Sequence, residues 1–255
     1  MKMNNTIAVI FVFLAALIVL NGCSGQKPTP DWTAKEYFKY AMDTYNDESY
    51  YEAVNEFTVV LLRYAGTVYA DSAQFYLGMS HFQMEEFILA AAEFNKLITD
   101  MSRSPLVSES QYMLGESYYQ MSPRSELDQE YTLKAIKEFQ IFLEDFPTNV
   151  HREEVEKKIF ELREKLARKQ WLNAELYRKM REFSSSLIYY DLVINSYYDT
   201  EYADDALLGK AQAYLEMEDY DKAKESMLIF KDKYPKSDLS EEYNETWSEL
   251  EENMH

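Results

Sequence analysis

The chain has 255 residues, 26 of them basic and 45 acidic, for a formal charge of −19, with 47% hydrophobic and 15% aromatic residues. That much apolar material excludes wholesale disorder, and the negative balance argues against nucleic acid, whose phosphates would be repelled. Six glycines and six prolines are too few turn-formers for a many-stranded barrel or sandwich, and no Gly-rich phosphate cradle is present, so the composition predicts an all-helical protein.

Residues 1–6 carry a single charge, Lys2, and an unbroken apolar run follows over residues 7–20. The run is too short to span a bilayer comfortably but suits the core of a signal peptide. It closes on Leu20-Asn21-Gly22-Cys23, and Cys23 is the only cysteine, which excludes an intramolecular disulfide or a thiolate metal cluster. A lone cysteine after a leucine and a small residue resembles a bacterial lipobox. The resemblance implies that residues 1–22 are removed and Cys23 is acylated. Each buried acyl CH₂ contributes about 0.8 kcal/mol, so three chains anchor firmly where one does not. Ser24 after the cysteine points, by analogy with enteric sorting, to the outer membrane. Residues 23–31, rich in Ser, Gly, Gln and Pro, read as a tether.

From Trp32 onward the chain repeats. An alanine with a large apolar residue four later occurs at Ala53/Phe57, Ala90/Phe94, Ala135/Phe139 and Ala223/Met227, and Ser186/Tyr190 fits the same pattern. Three before the anchor stands an aromatic in four units: Tyr50, Phe87, Phe183 and Tyr220. Twelve before it stand Ala41, Gly78, Ala174 and Ala211, with Gly115 in that part in the third unit after eight extra residues. Pro147 and Pro235 stand twelve after it in the third and fifth units, whereas Ala65 and Ser102 occupy that place in the first two. The physical cause is a helical hairpin. Two antiparallel helices cross closely only at small side chains, with large residues filling the wedge one turn away. Each hairpin leaves an apolar face that only the next can cover, so the units stack.

This pattern resembles the tetratricopeptide repeat. Anchor spacings of 37, 45, 51 and 37 residues exceed that repeat's 34. The surplus in the third unit reads as a loop over residues 122–128. In the fourth it falls in residues 152–169, a charge-rich run without Gly or Pro that reads as one long helix. The predicted fold is therefore all-α: a superhelical solenoid of five tetratricopeptide-like hairpins plus a C-terminal helix. Residues 32–149 hold the first three hairpins and residues 150–236 the last two. Residues 237–255 form an acidic helix around Trp247 that caps the array.

In such hairpins the first helix lines the concave side. The positions three before, one after and four after the small residue give Phe38, Met42 and Tyr45, then Phe75, Met79 and Phe82, then Tyr112, Glu116 and Tyr119. The fourth unit gives Trp171, Glu175 and Arg178, and the fifth Leu208, Gln212 and Leu215. Rings and flexible thioethers in the first three units suit an extended peptide with aromatic side chains; the same residues equally suit packing between hairpins. No catalytic constellation stands out. His81, His151 and His255 lie in no metal-ligand spacing, and neither a cofactor nor an enzyme activity is expected.

A lipobox followed by five such hairpins resembles the BamD family, the lipoprotein component of the outer-membrane β-barrel assembly machine. The likeness covers residues 32–235. Asp128-Gln129-Glu130-Tyr131-Thr132-Leu133-Lys134-Ala135 looks like its Asp-Gln-x-x-Thr-x-x-Ala signature. Residues 175–179, 183–186 and 205–214 are also alike. The resemblance implies that the N-terminal hairpins receive unfolded outer-membrane β-barrel proteins, whose C-terminal signals end in an aromatic residue. It implies that the C-terminal hairpins, including Trp171, Glu175 and Arg178, dock the periplasmic domains of BamA and other subunits. The alternative left open is another envelope scaffold built from the same repeat, coordinating cell division or peptidoglycan synthesis.

Overall fold

A computed structural model describes residues 28–254. Cys23 and the signal segment, residues 1–22, lie outside them. Eleven helices and no strand occur among the described residues. They pair in order: α1 (Ala34–Asn46) with α2 (Tyr50–Arg63), α3 (Ala70–Gln83) with α4 (Phe87–Asp100), and α5 (Val107–Gln120) with α6 (Glu130–Asp145). Then come α7 (Arg152–Lys179) with α8 (Phe183–Ser196), α9 (Tyr202–Glu216) with α10 (Tyr220–Lys233), and α11 (Ser240–Asn253), which packs on α10 and α9. Each helix touches its chain neighbours, and the core runs as four apolar clusters in series, which is the architecture of a solenoid.

The small residues lie where the periodicity placed them. Ala41, Ala174 and Ala211 are fully buried, as are the anchors Ala53, Ala90 and Ala135. A Cβ built on Gly78 would meet Phe94 Cε1 at 2.8 Å, and one on Gly115 would meet Phe139 Cδ1 at 2.5 Å. Gly209 serves a second kind of crossing. Its Cβ would meet Tyr190 Oη at 2.6 Å, so it brings α9 close to α8 of the preceding hairpin.

Four of the hairpins turn through one device. Glu48, Glu85, Arg181 and Glu218 have φ near 60°. In each case the N–H of that residue donates to the carbonyl three back, and the following N–H donates to the carbonyl five before it, as Glu85 to Phe82 and Glu86 to His81, both at 2.9 Å. This is the Schellman termination, which normally takes glycine. The turns between hairpins are likewise uniform. Thr67, Ser104, Asn149, Thr200 and Ser237 donate to the carbonyls of Tyr64, Met101, Phe146, Tyr197 and Tyr234. Ala65 and Ser102, where a closing proline was lacking, therefore change nothing. The large side chain that ends each second helix packs into the core and sets the turn instead.

Candidate functional site

The spacing of four and three residues puts Phe38, Met42 and Tyr45 on one face of α1, Phe75, Met79 and Phe82 on one face of α3, and Tyr112 and Tyr119 on one face of α5. Six of these eight side chains are half-buried, whereas Phe75 and Tyr112 are buried. Phe38 stacks on Tyr69 at 5.2 Å, Tyr45 sits edge-on to Tyr76 at 5.2 Å, and Phe82 sits edge-on to Phe87 at 5.2 Å. Phe75 packs on Phe94 at 5.6 Å and Tyr112 on Phe142 at 6.0 Å, so both belong to the inter-helix core. Neither side chain presents a surface to a ligand.

The row ends in a polar lock between α5 and α7. Lys158 pairs with Glu116 and, at 2.8 Å, with Glu154, and its ammonium lies 5.5 Å from the Tyr112 ring and 5.1 Å from the Tyr119 ring. Tyr112 Oη donates to Glu154 at 2.9 Å and Tyr119 Oη to Glu161 at 2.7 Å. His151 stacks on Tyr112 at 4.1 Å. Burial, then the bond to Glu154, pushes the Tyr112 hydroxyl up to about 12. The bond to Glu161, then burial, does the same for Tyr119. Burial works against the Lys158 charge, but Glu116 and Glu154 more than offset it and hold its pKa above the ordinary value. All three stay protonated at neutral pH, so this end of the row braces α5 against α7. Glu116 was legible as a groove position; Lys158 was not, because nothing in the sequence says which turn of α7 faces α5.

The Asp-Gln-x-x-Thr segment is a loop clasp. Gln129 Nε2 donates to the carbonyls of Arg124 and Leu127 at 2.8 and 2.9 Å, and its Oε1 accepts from Thr132 at 2.7 Å. Asp128 caps the N–H of Glu130 at 2.9 Å. The folded loop is then pinned to α7: Lys165 donates to Ser122 Oγ at 2.7 Å, Arg168 to Ser125 Oγ at 2.9 Å, and Lys169 to the Leu127 carbonyl. The two insertions that lengthen the third and fourth units thus bond to each other. An open cleft beside them is lined by Arg124, Phe160, Lys165, Arg168 and Tyr202.

Trp171, Glu175 and Arg178 lie along α7 where it meets α8 and α9. Trp171 packs on Tyr202 at 5.8 Å. Arg178 pairs with Glu175 at 2.9 Å and Glu216 at 2.7 Å, and Tyr190 donates its hydroxyl proton to a bond with Glu175. All three residues are half-buried and engaged within the fold. Nearby, burial and then Asp204, Asp238, Glu201 and Glu175 push the Asp205 carboxyl up to about 6. Among the described residues no group of three or more His, Cys, Asp or Glu is placed to hold a metal ion, and no helix is long and apolar enough to cross a membrane.

The sequence profile of the outer membrane lipoprotein family YfiO matches residues 30–229. No curated protein matches the chain. Among solved structures it is similar to the TPR2AB-domain:pHSP90 complex of yeast Sti1, at 12% identity over 86% of this chain and 98% of that one, with a TM-score of 0.43. A tetratricopeptide repeat protein from Parabacteroides merdae matches at 13% identity over 90% and 87% of the two chains, with a TM-score of 0.42. TTC0263 of Thermus thermophilus matches at 15% identity over 84% and 99%, with a TM-score of 0.36.

Proposed function

The chain belongs to the outer membrane lipoprotein family YfiO, and from that premise we propose that it is a lipid-anchored, periplasm-facing scaffold for assembling outer-membrane β-barrel proteins. In this reading Cys23 carries the acyl chains and the folded hairpins act on other proteins without catalysing a reaction. The observation that carries it is the row of half-buried rings and thioethers concentrated in the first three hairpins, Phe38, Met42, Tyr45, Met79, Phe82 and Tyr119, against the single ring of Trp171 at the same positions of the last two. Side chains of that kind bind aromatic residues of an unfolded barrel strand with little selectivity for sequence. Phe75 and Tyr112 support the row from inside. The surface around Trp171, Glu175 and Arg178, with exposed Lys179 and Arg181 beside it, docks the periplasmic domains of BamA.

Replacing Met79 and Phe82 together by serine tests the groove. Binding of a barrel C-terminal peptide ending in phenylalanine is expected to weaken several-fold, while helicity stays that of the parent chain. Unchanged affinity in the folded variant retires the groove. A photocrosslinker at Lys179 is expected to capture BamA in membranes; capture of division or peptidoglycan enzymes instead would overturn the assembly role.

A further inference from the structure

We propose that the edge of the first hairpin formed by Leu62, Arg63, Ala65 and Val68 lies against the phospholipid surface that holds the chain. The inference rests on the anchoring of Cys23 and goes beyond it, because an anchor alone does not say which part of the fold meets the membrane.

The path of the chain sets the geometry. Arg63 Nη2 donates to the Pro30 carbonyl at 2.9 Å, and Tyr64 Oη donates to the Trp32 carbonyl at 2.7 Å. The backbone is therefore tied to the end of α2 from Pro30 onward. From Cys23 to Pro30 a fully extended chain reaches at most about 25 Å. Antiparallel pairing brings the C-terminal end of α2 beside the N-terminal end of α1, so the point where the tether joins the fold and this edge are the same place.

The chemistry of the edge departs from that of the rest of the molecule. Residues 57–70 carry no carboxylate and one charge, Arg63, the longest acid-free stretch among the described residues of a chain with 45 acidic side chains. Leu62 is 78% and Val68 84% exposed, and Ala65 and Gly66 beside them are exposed too. Behind them stand Trp32, Tyr64 and Tyr69, half-buried. Exposed Asp31, between the two residues bonded to Arg63 and Tyr64, sets one carboxylate at the tether junction against that arginine. The apolar side chains of the edge, backed by aromatic rings, match the headgroup level of a bilayer better than the acidic surface elsewhere, which anionic lipid would repel. The tether keeps the local concentration of lipid high, so a patch too weak to bind an untethered chain stays engaged. The first hairpin, and the start of the aromatic row with it, is thereby held at the membrane.

The test places a fluorescent residue at Val68 or at exposed Lys224 on α10. The acylated full chain is reconstituted in phosphatidylethanolamine–phosphatidylglycerol vesicles containing a headgroup-nitroxide lipid. A second arm couples the mature chain through Cys23 to a maleimide phospholipid, which keeps the tether length whether or not cells acylate Cys23. The probe at 68 is expected to lose most of its fluorescence in both arms, and the probe at 224 little. Leu62→Asp is expected to relieve the quenching at 68 with helicity unchanged. Equal quenching at the two positions, or none at 68, overturns the proposal, as does a 68-to-68 crosslinked dimer showing that a second copy covers the edge. A mass of membrane-purified protein without acyl groups would sink the anchoring at Cys23 alone, since the coupled arm still reads the edge.

Discussion

Gly115→Ala probes the contact on which the array depends. A Cβ there would stand 2.5 Å from Cδ1 and 2.6 Å from Cε1 of Phe139. The ring is fully buried, with Tyr112 and Tyr119 at 6.5 and 6.3 Å, so it has no free side to move toward. In an unhindered helix the substitution gains about 0.5–1 kcal/mol. Overpacking a tight core costs about 1–3 kcal/mol. The net expected loss is about 1 kcal/mol, which for a chain of this size lowers Tm by about 2–4 °C. Thermal and urea unfolding of the mature chain, followed by helical circular dichroism, measures it. Gly66→Ala is the matched control, because nothing lies within 4 Å of its Cβ position, and it should lose nothing. Phe139→Leu in the Gly115→Ala chain should recover part of the loss by relieving the clash. If Gly115→Ala proved as stable as the parent, close crossing at small residues would not be what positions these helices.

Asp205→Asn should stabilise the protein at pH 7. Its carboxyl is raised from an ordinary 3.8 to about 6, so the folded state binds the proton more tightly than the unfolded state. Stability from this group is therefore full below about pH 4 and is lost as the pH rises through about 6. The shift corresponds to at most about 3 kcal/mol, which water at this half-buried site reduces to about 1 kcal/mol. Urea midpoints of parent and variant should differ at pH 7 and converge at pH 4; parallel curves would refute the assignment. Glu85→Gly and Glu218→Gly should each stabilise by about 0.5–1 kcal/mol, because both residues sit at φ near 60° where a side chain costs energy. A drop in stability would mean that these side chains make contacts worth more than the strain.

The hairpins were legible because their determinants are local. A small residue and a large one at fixed offsets follow from the period of a helix and the distance at which two helices cross, and Ala41, Gly78, Gly115, Ala174 and Ala211 all lie where that arithmetic put them. The long α7 and the loop over residues 122–128 were legible as interruptions of the same period. The left-handed turns at Glu48, Glu85, Arg181 and Glu218 were not, since the usual glycine mark is missing and the bonding of the flanking helix imposes the conformation.

What the sequence determined by itself is the number of hairpins and their order, because each depends on residues near one another along the chain. Only the tertiary structure decided which aromatics are consumed in the core and which stay half-open, that Lys158 braces Tyr112 and Tyr119, and that the loop and the extended helix clasp each other. Those outcomes turn on which turn of one helix faces another some forty residues away. Side-chain packing across the stack sets that register, and no local pattern encodes it.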